Sequence, residues 1–241
     1  MLVWLGLSVP LLVYAFMGAQ SERPVPTPSN VAWTDETIEL ASGGDPVRGL
    51  LLARRCERCH GTEGFSSKPE IPNLAGMDKL AFWKQLQDFQ AEKRESATMQ
   101  MIMQPFTPRD DADLAAYYSM LPTMPDPQDP RAFPGDTPPA AHGTMAARLI
   151  SLGDGRRGVP PCQACHGPVA YVRGAPPLLT QNSAYILKQL TTFATGIRTN
   201  DINMPMRSIA ADLTEEERKA LAEYYGAGLA SLPTGATAPR R

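Results

Sequence analysis

Residues 54–61 read RRCERCHG, and residues 160–167 read PPCQACHG. Each places two cysteines three positions apart with a histidine directly after the second. The pairs begin 106 residues apart, at Cys56 and Cys162, and the segments downstream of each pair repeat as well. IPNLAG (71–76) is echoed by APPLLT (175–180), and FWKQLQDF (82–89) by ILKQLTTF (186–193). FTPRDDADLAAYYSML (106–121) is echoed by LTEEERKALAEYYGAGL (213–229). Lys84 and Lys188 stand 104 residues apart, Tyr117 and Tyr224 107. Motif order and spacing kept over about 80 residues mark a tandem duplication.

Each unit reads as helical. Leu80, Trp83, Leu86, Phe89 and Gln90 recur near helical spacing, and Tyr185, Leu187, Leu190 and Phe193 do much the same. Thr107 and Thr214 are helix N-caps followed by acidic first turns. Asp45–Pro46 opens a helix that runs into the first cysteine pair. In unit two the matching helix lies earlier, within 140–152, and GDGRRGVPP (153–161) is a loop. No segment alternates as a strand does. The expected fold is all-α: two duplicated domains behind an N-terminal transmembrane helix.

The flanks support that division. Leu2 to Ala19 is an uncharged apolar run of 18 residues, about 27 Å as a helix, close to a bilayer core. A cleaved signal would need a basic start and a small residue where Met17 stands, which favours an uncleaved anchor. SERPVPTPSN (21–30) reads as a stiff tether, and seven prolines between Leu121 and Pro139 mark a boundary. The resulting segments are 1–20 anchor, 21–40 tether, 41–121 domain 1, 122–139 linker, 140–232 domain 2 and 233–241 tail. Formal charge is −2 with 20% charged residues, which argues against nucleic acid as a partner. Residues 41–132 carry 11 basic and 13 acidic residues, whereas 133–241 carry 11 and 8.

The chemistry turns on the Cys-x-x-Cys-His pattern. On a helical turn both sulfurs fall on one face and the imidazole beside them. That suits two thioether bonds to haem vinyl groups, with His60 or His166 aimed at the iron. Zinc would need four ligands at each site, and pooling both cysteine pairs would leave the histidines unexplained. A redox dithiol would want a strand–helix setting. Two covalently attached haem c groups are therefore expected, on Cys56, Cys59 and His60 and on Cys162, Cys165 and His166.

A second axial ligand must come from elsewhere. The remaining histidine, His142, stands alone in the proline-rich region, so methionines are the candidates. Unit one offers Met99, Met101 and Met103; unit two offers Met204 and Met206. Counting back seven residues from Phe106 and Leu213 selects Met99 and Met206, at 39 and 40 residues from His60 and His166. Met101 and Met204 stay open as alternatives.

The ordered set CxxCHG, PNLAG, KQLxDF, Met and a helix ending in Tyr-Tyr resembles the diheme cytochrome c4 family of class I c-type cytochromes, over about residues 41–232. The resemblance implies two His/Met-ligated haem domains acting as a periplasmic electron carrier. It also implies that Pro72 and Pro177 give backbone carbonyls to the Nδ1–H groups of His60 and His166, and that Arg198 and Asn200 contact a haem propionate. Unit one lacks the R-x-N of that pair; its nearest match is EKRES (92–96). With both axial positions filled there is no open site, so no catalytic residue and no small-molecule substrate are expected. The expected setting is the bacterial inner membrane with the haem domains on the periplasmic side. Expected partners are a cytochrome bc-type complex and a terminal oxidase, or alternatively a dehydrogenase, a flavocytochrome or a respiratory supercomplex.

Overall fold

A computed structural model describes residues 28–122, 144–167, 172–179 and 181–230. Unit one is built from α1 (Asp35–Ser42), α2 (Pro46–His60), α3 (Lys79–Gln90), α4 (Ala97–Met103) and α5 (Pro108–Met120). Unit two continues with α6 (Met145–Ser151), α7 (Gln163–His166), α8 (Ser183–Ala194), α9 (Pro205–Asp212) and α10 (Glu215–Ala230). The described residues contain no strand, only one antiparallel bridge between Asp154 and Val159. The proposed anchor (1–20), His142, the tail and nearly all of the linker lie outside them. Among the described residues no helix is long and apolar enough to cross a membrane.

Local chemistry starts each helix where the sequence implies. The Asp45 carboxylate accepts from the Val47 and Arg48 amides, and Pro46 sits in the first turn of α2. Thr107 and Asp110 cap α5 reciprocally, and Thr214 and Glu217 do the same for α10. The second half of the expected tether is structured: Thr34 caps α1, which packs on α3 and α5 as part of unit one.

In unit one α2 crosses α5 at Gly49, where a Cβ would lie 2.1 Å from the Asp113 carbonyl oxygen. Only glycine permits that approach. Around the crossing, Phe82, Trp83, Leu86, Phe89, Leu114 and Tyr118 form a core, and the Trp83 indole donates to the Pro108 carbonyl at 2.9 Å. Unit two has its own core of Ile150, Val159, Ile186, Leu213, Leu221 and Tyr225. Here the counterpart of α2 is split into α6 and α7. Gly153 and Gly158, at φ 69° and 72°, turn the chain between them. Arg157 ties this loop to α10 by bonding Asp154 and Glu217.

Gly49→Ala should therefore destabilise unit one by about 1–3 kcal/mol, because backbone must move to admit the methyl; thermal melts read this directly. A second expectation concerns Asp111, fully buried on α5 with Oδ1 unpartnered. Burial raises its carboxyl to about 7 although Gln87 donates to it. Its stabilising protonated form is present at low pH and lost as pH climbs towards 7. Asp111→Asn should flatten the fall in melting temperature between pH 4 and pH 8 that the parent shows.

Candidate haem-binding site

His60 is the last residue of α2, with Cys56 one turn earlier and Cys59 beside it. Gly61, at φ 80°, turns the chain immediately afterwards. The imidazole is 7% exposed and its Nδ1 lies 2.8 Å from the Pro72 carbonyl oxygen. A carbonyl can only accept, so Nδ1 carries the proton and Nε2 keeps its lone pair for a metal. His166 repeats this at the end of α7, with Nδ1 2.7 Å from a carbonyl oxygen. That oxygen belongs to Pro176, not to Pro177. The reason is register: the proline loop comes 12 residues after the histidine in unit one and 10 after it in unit two, so Pro72 matches Pro176. Burial lowers the proton affinity of both rings, and the carbonyls partly offset it.

The four thiols are unbridged. Burial pushes the Cys56 and Cys162 thiols up to about 11. An exchange-active dithiol needs the opposite shift, so the electrostatics disfavour disulfide chemistry. Among the described residues no group of three or more His, Cys, Asp or Glu converges into an all-protein metal cage, which leaves zinc without a ligand set. Beside the first thiol of each unit stands a buried phenol, Tyr118 next to Cys56 and Tyr225 next to Cys162. Two thiols, an oriented imidazole and a buried phenol beside the first thiol, at the same place in both units, fit a covalently held haem.

The methionines separate by burial. Met103 is 1% exposed within the unit-one core, whereas Met101 is 66% exposed on the outer side of α4. Met99 is half-buried against the core. In unit two Met204, at φ 64°, is 51% exposed and caps α9, while Met206, two residues on in the first turn, is half-buried.

Where the units meet, a polar cluster replaces an apolar seam. Lys84 Nζ donates to the Asp88 carboxylate and to the Asn200 carbonyl. Asn200 donates to Asp88 at 2.7 Å and to Gln85 at 3.0 Å. The Gln85 side-chain oxygen also accepts from Arg94 (2.8 Å) and Arg198 (2.9 Å), and Gln189 accepts from both arginines. Arg94 lies over Phe89 and Arg198 over Phe193, with ring centroids 4.7 and 4.4 Å away. Arg94 is thus the unit-one counterpart of Arg198, at the 104-residue offset that also pairs Gln85 with Gln189. That offset was the signal in the sequence for Arg94; nothing there marked Tyr185, whose phenol accepts from Arg94 at 2.7 Å. Burial, and Arg94 alongside, pull the Arg198 guanidinium down to about 9. Among the described residues neither arginine has a carboxylate partner: Asp88 is held by Lys84 and Asp201 by Arg207.

A second clamp reaches the loop whose carbonyl orients His60. The Gln181 amide accepts from Asn73 N–H at 2.8 Å and donates to the Asn73 carbonyl at 3.0 Å. Asn182 donates to the Ile71 carbonyl at 2.7 Å. Unit two therefore grips both neighbours of Pro72.

No family profile matches the chain. Cytochrome c4 of Azotobacter vinelandii is 35% identical over 200 residues, covering 76% of this chain and 89% of the relative. A thiosulfate dehydrogenase electron acceptor of Stutzerimonas stutzeri is 35% identical over 193 residues, covering 79% and 84%. The crystal structure of reduced cytochrome c4 from Pseudomonas stutzeri superposes with a TM-score of 0.65 at 33% identity, covering 76% of this chain and 98% of that one.

Gln181→Leu should remove both bonds to Asn73, at a cost of about 1–3 kcal/mol. Thermal unfolding should show the loss, and small-angle scattering should show the units less tightly joined.

Proposed function

The chain belongs to the diheme cytochrome c4 family, and from that premise we propose that it carries electrons between periplasmic-side partners, tethered to the inner membrane through residues 1–20. Two covalently bound haems and an electron-transfer role come with family membership. Bound haem supplies a reversible one-electron iron couple; the chain orients it and sets its surroundings. In this reading Cys56 and Cys59, and Cys162 and Cys165, hold the two groups covalently, with His60 and His166 as axial ligands.

Met99 and Met206 are the proposed opposite ligands. Their half-burial supports this, because a ligand must be withdrawn from water yet not locked into a core as Met103 is. A thioether opposite imidazole favours ferrous iron and raises the potential. Arg94 and Arg198 are proposed to receive the haem propionates. A buried and a half-buried guanidinium sharing only neutral acceptors favour anionic partners, and propionates from both units would supply them at one junction. Propionates meeting there would bring the two haems within relay distance.

The observation that carries the reading is the repeated constellation of paired thiols, carbonyl-oriented imidazole and half-buried methionine. Upstream and downstream partners are proposed to be a cytochrome bc-type complex and a terminal oxidase. A second reading, in which a periplasmic dehydrogenase donates the electrons, is favoured by the likeness to a thiosulfate dehydrogenase electron acceptor. Affinity capture from detergent-solubilised membranes separates them by the partner recovered.

Alkaline pyridine spectra should give two c-type haems per chain, and thiol titration should find none of the four cysteines free. Met206→His should lower the potential of one haem and leave the other near its parent value in a spectroelectrochemical titration. An unchanged pair of potentials would assign the ligand to Met204.

A further inference from the structure

The motif that opens this protein's repeat contains three arginines that haem attachment does not use. Arg54, Arg55 and Arg58 are all exposed. Arg55 lies over the Phe106 ring at 5.6 Å, and none of the three forms an ion pair among the described residues. Arg48, nearly two turns earlier on the same helix, is by contrast engaged by Asp110 and Asp113. With Met101, Ile102 and Pro105 of the α4 edge, the three arginines line an open cleft of about 470 Å³. Val47, Leu50, Leu51, Arg54 and Arg58 succeed one another at helical spacing along a single face of α2. Val47 is 70% and Leu51 58% exposed, so this face is covered by nothing among the described residues.

The repeat makes the feature specific. At the 106-residue offset, Arg54, Arg55 and Arg58 correspond to Pro160, Pro161 and Ala164. The cationic cluster therefore belongs to unit one alone, although unit one carries the net negative charge of the two. Glu57, three residues from Arg54, forms no ion pair with any of the three among the described residues.

We propose that this face of α2 with the adjoining α4 edge is the docking surface for an acidic patch on a partner protein, which exchanges electrons through unit one. The inference rests on the electron-carrier reading. Unpaired exposed guanidinium groups beside an apolar strip match an acidic rim around an apolar centre, and such charge pairing accelerates encounter. A flat bilayer is a poorer match. The apolar and basic residues lie end to end along α2 rather than on opposed faces, and the arginines line a concave cleft.

The test uses the full-length holoprotein and flavodoxin hydroquinone, an acidic redox protein, as probe. In each encounter the flavin hydroquinone gives up one electron and one proton to become the neutral semiquinone; the electron converts one ferric haem to ferrous and the proton passes to buffer. Stopped-flow rates are compared at about 10 mM and about 300 mM salt, a range over which screening shortens severalfold. The parent should slow markedly as salt rises. The Arg54→Glu/Arg58→Glu pair should lose about ten-fold at low salt and most of its salt dependence. The milder Arg54→Gln/Arg58→Gln pair should fall between them and guards against misfolding. Arg148→Glu/Arg156→Glu, the same charge change on unit two, should stay within about two-fold of the parent. Dithionite should reduce both haems in every variant; failure there would fault haem binding rather than docking. Unchanged rates in the α2 variants, or an equal loss in the unit-two control, would overturn the proposal. So would binding to anionic phospholipid vesicles that is lost in the α2 variants while their flavodoxin rates stay at the parent value.

Discussion

One hydrogen bond in each unit, from imidazole Nδ1–H to a proline carbonyl, is the constraint on which the rest of this protein depends. It fixes the tautomer, so that Nε2 is the nitrogen available to iron. To make it, the helix carrying Cys-x-x-Cys-His must end beside the proline loop. In unit one a glycine at φ 80° turns the chain there at once. The close crossing of α2 on α5 at Gly49 holds the other end of that helix. Unit two reaches the same histidine geometry with only a four-residue α7, since Arg157 and the Gly153–Gly158 loop anchor it to α10 instead. Two backbones of different construction thus converge on one bond.

The junction between the units obeys a different logic. Its buried members are Lys84, Asp88, Arg94 and Asn200, groups that cost free energy to remove from water unless every lone pair and proton finds a partner. Gln85 and Gln189 serve as shared acceptors for the two arginines, which are repeat-related and stacked on repeat-related phenylalanines. Such a seam is directional where an apolar one would be forgiving, because each amide accepts only along defined lines. The Gln181–Asn73 pair places the same directional control next to Pro72, so the docking of one unit bears on the orientation of His60 in the other.

Much of this was legible in residues. The duplication, the helical class, the caps at Asp45, Thr107 and Thr214, and the split of the first helix in unit two all came from local patterns. Those patterns act over one or two turns and are strong enough to survive in any helical context. Pro177 is a misreading of a legible pattern: IPNLAG and APPLLT, at the 104-residue offset of Lys84 and Lys188, pair Pro72 with Pro176, the carbonyl that His166 meets. The methionines show a limit: spacing picks Met99 out of three within five residues of unit one, but that Met103 is buried, Met99 half-buried and Met101 exposed is visible only in the packed structure.

By itself the sequence determined the attachment chemistry, the tandem helical architecture and the family, because covalent motifs and short-range helix signals need no neighbour to be read. Only the tertiary structure decided which methionines are half-buried and that unit two grips both neighbours of Pro72. It also brought Arg94 and Arg198 together without a carboxylate between them, and left the arginines of RRCERCHG facing solvent. Those outcomes depend on contacts between residues as much as 116 positions apart, as in the bond from Lys84 to the Asn200 carbonyl. Burial and pairing at that range are set by how the two units pack, and no local pattern carries that information.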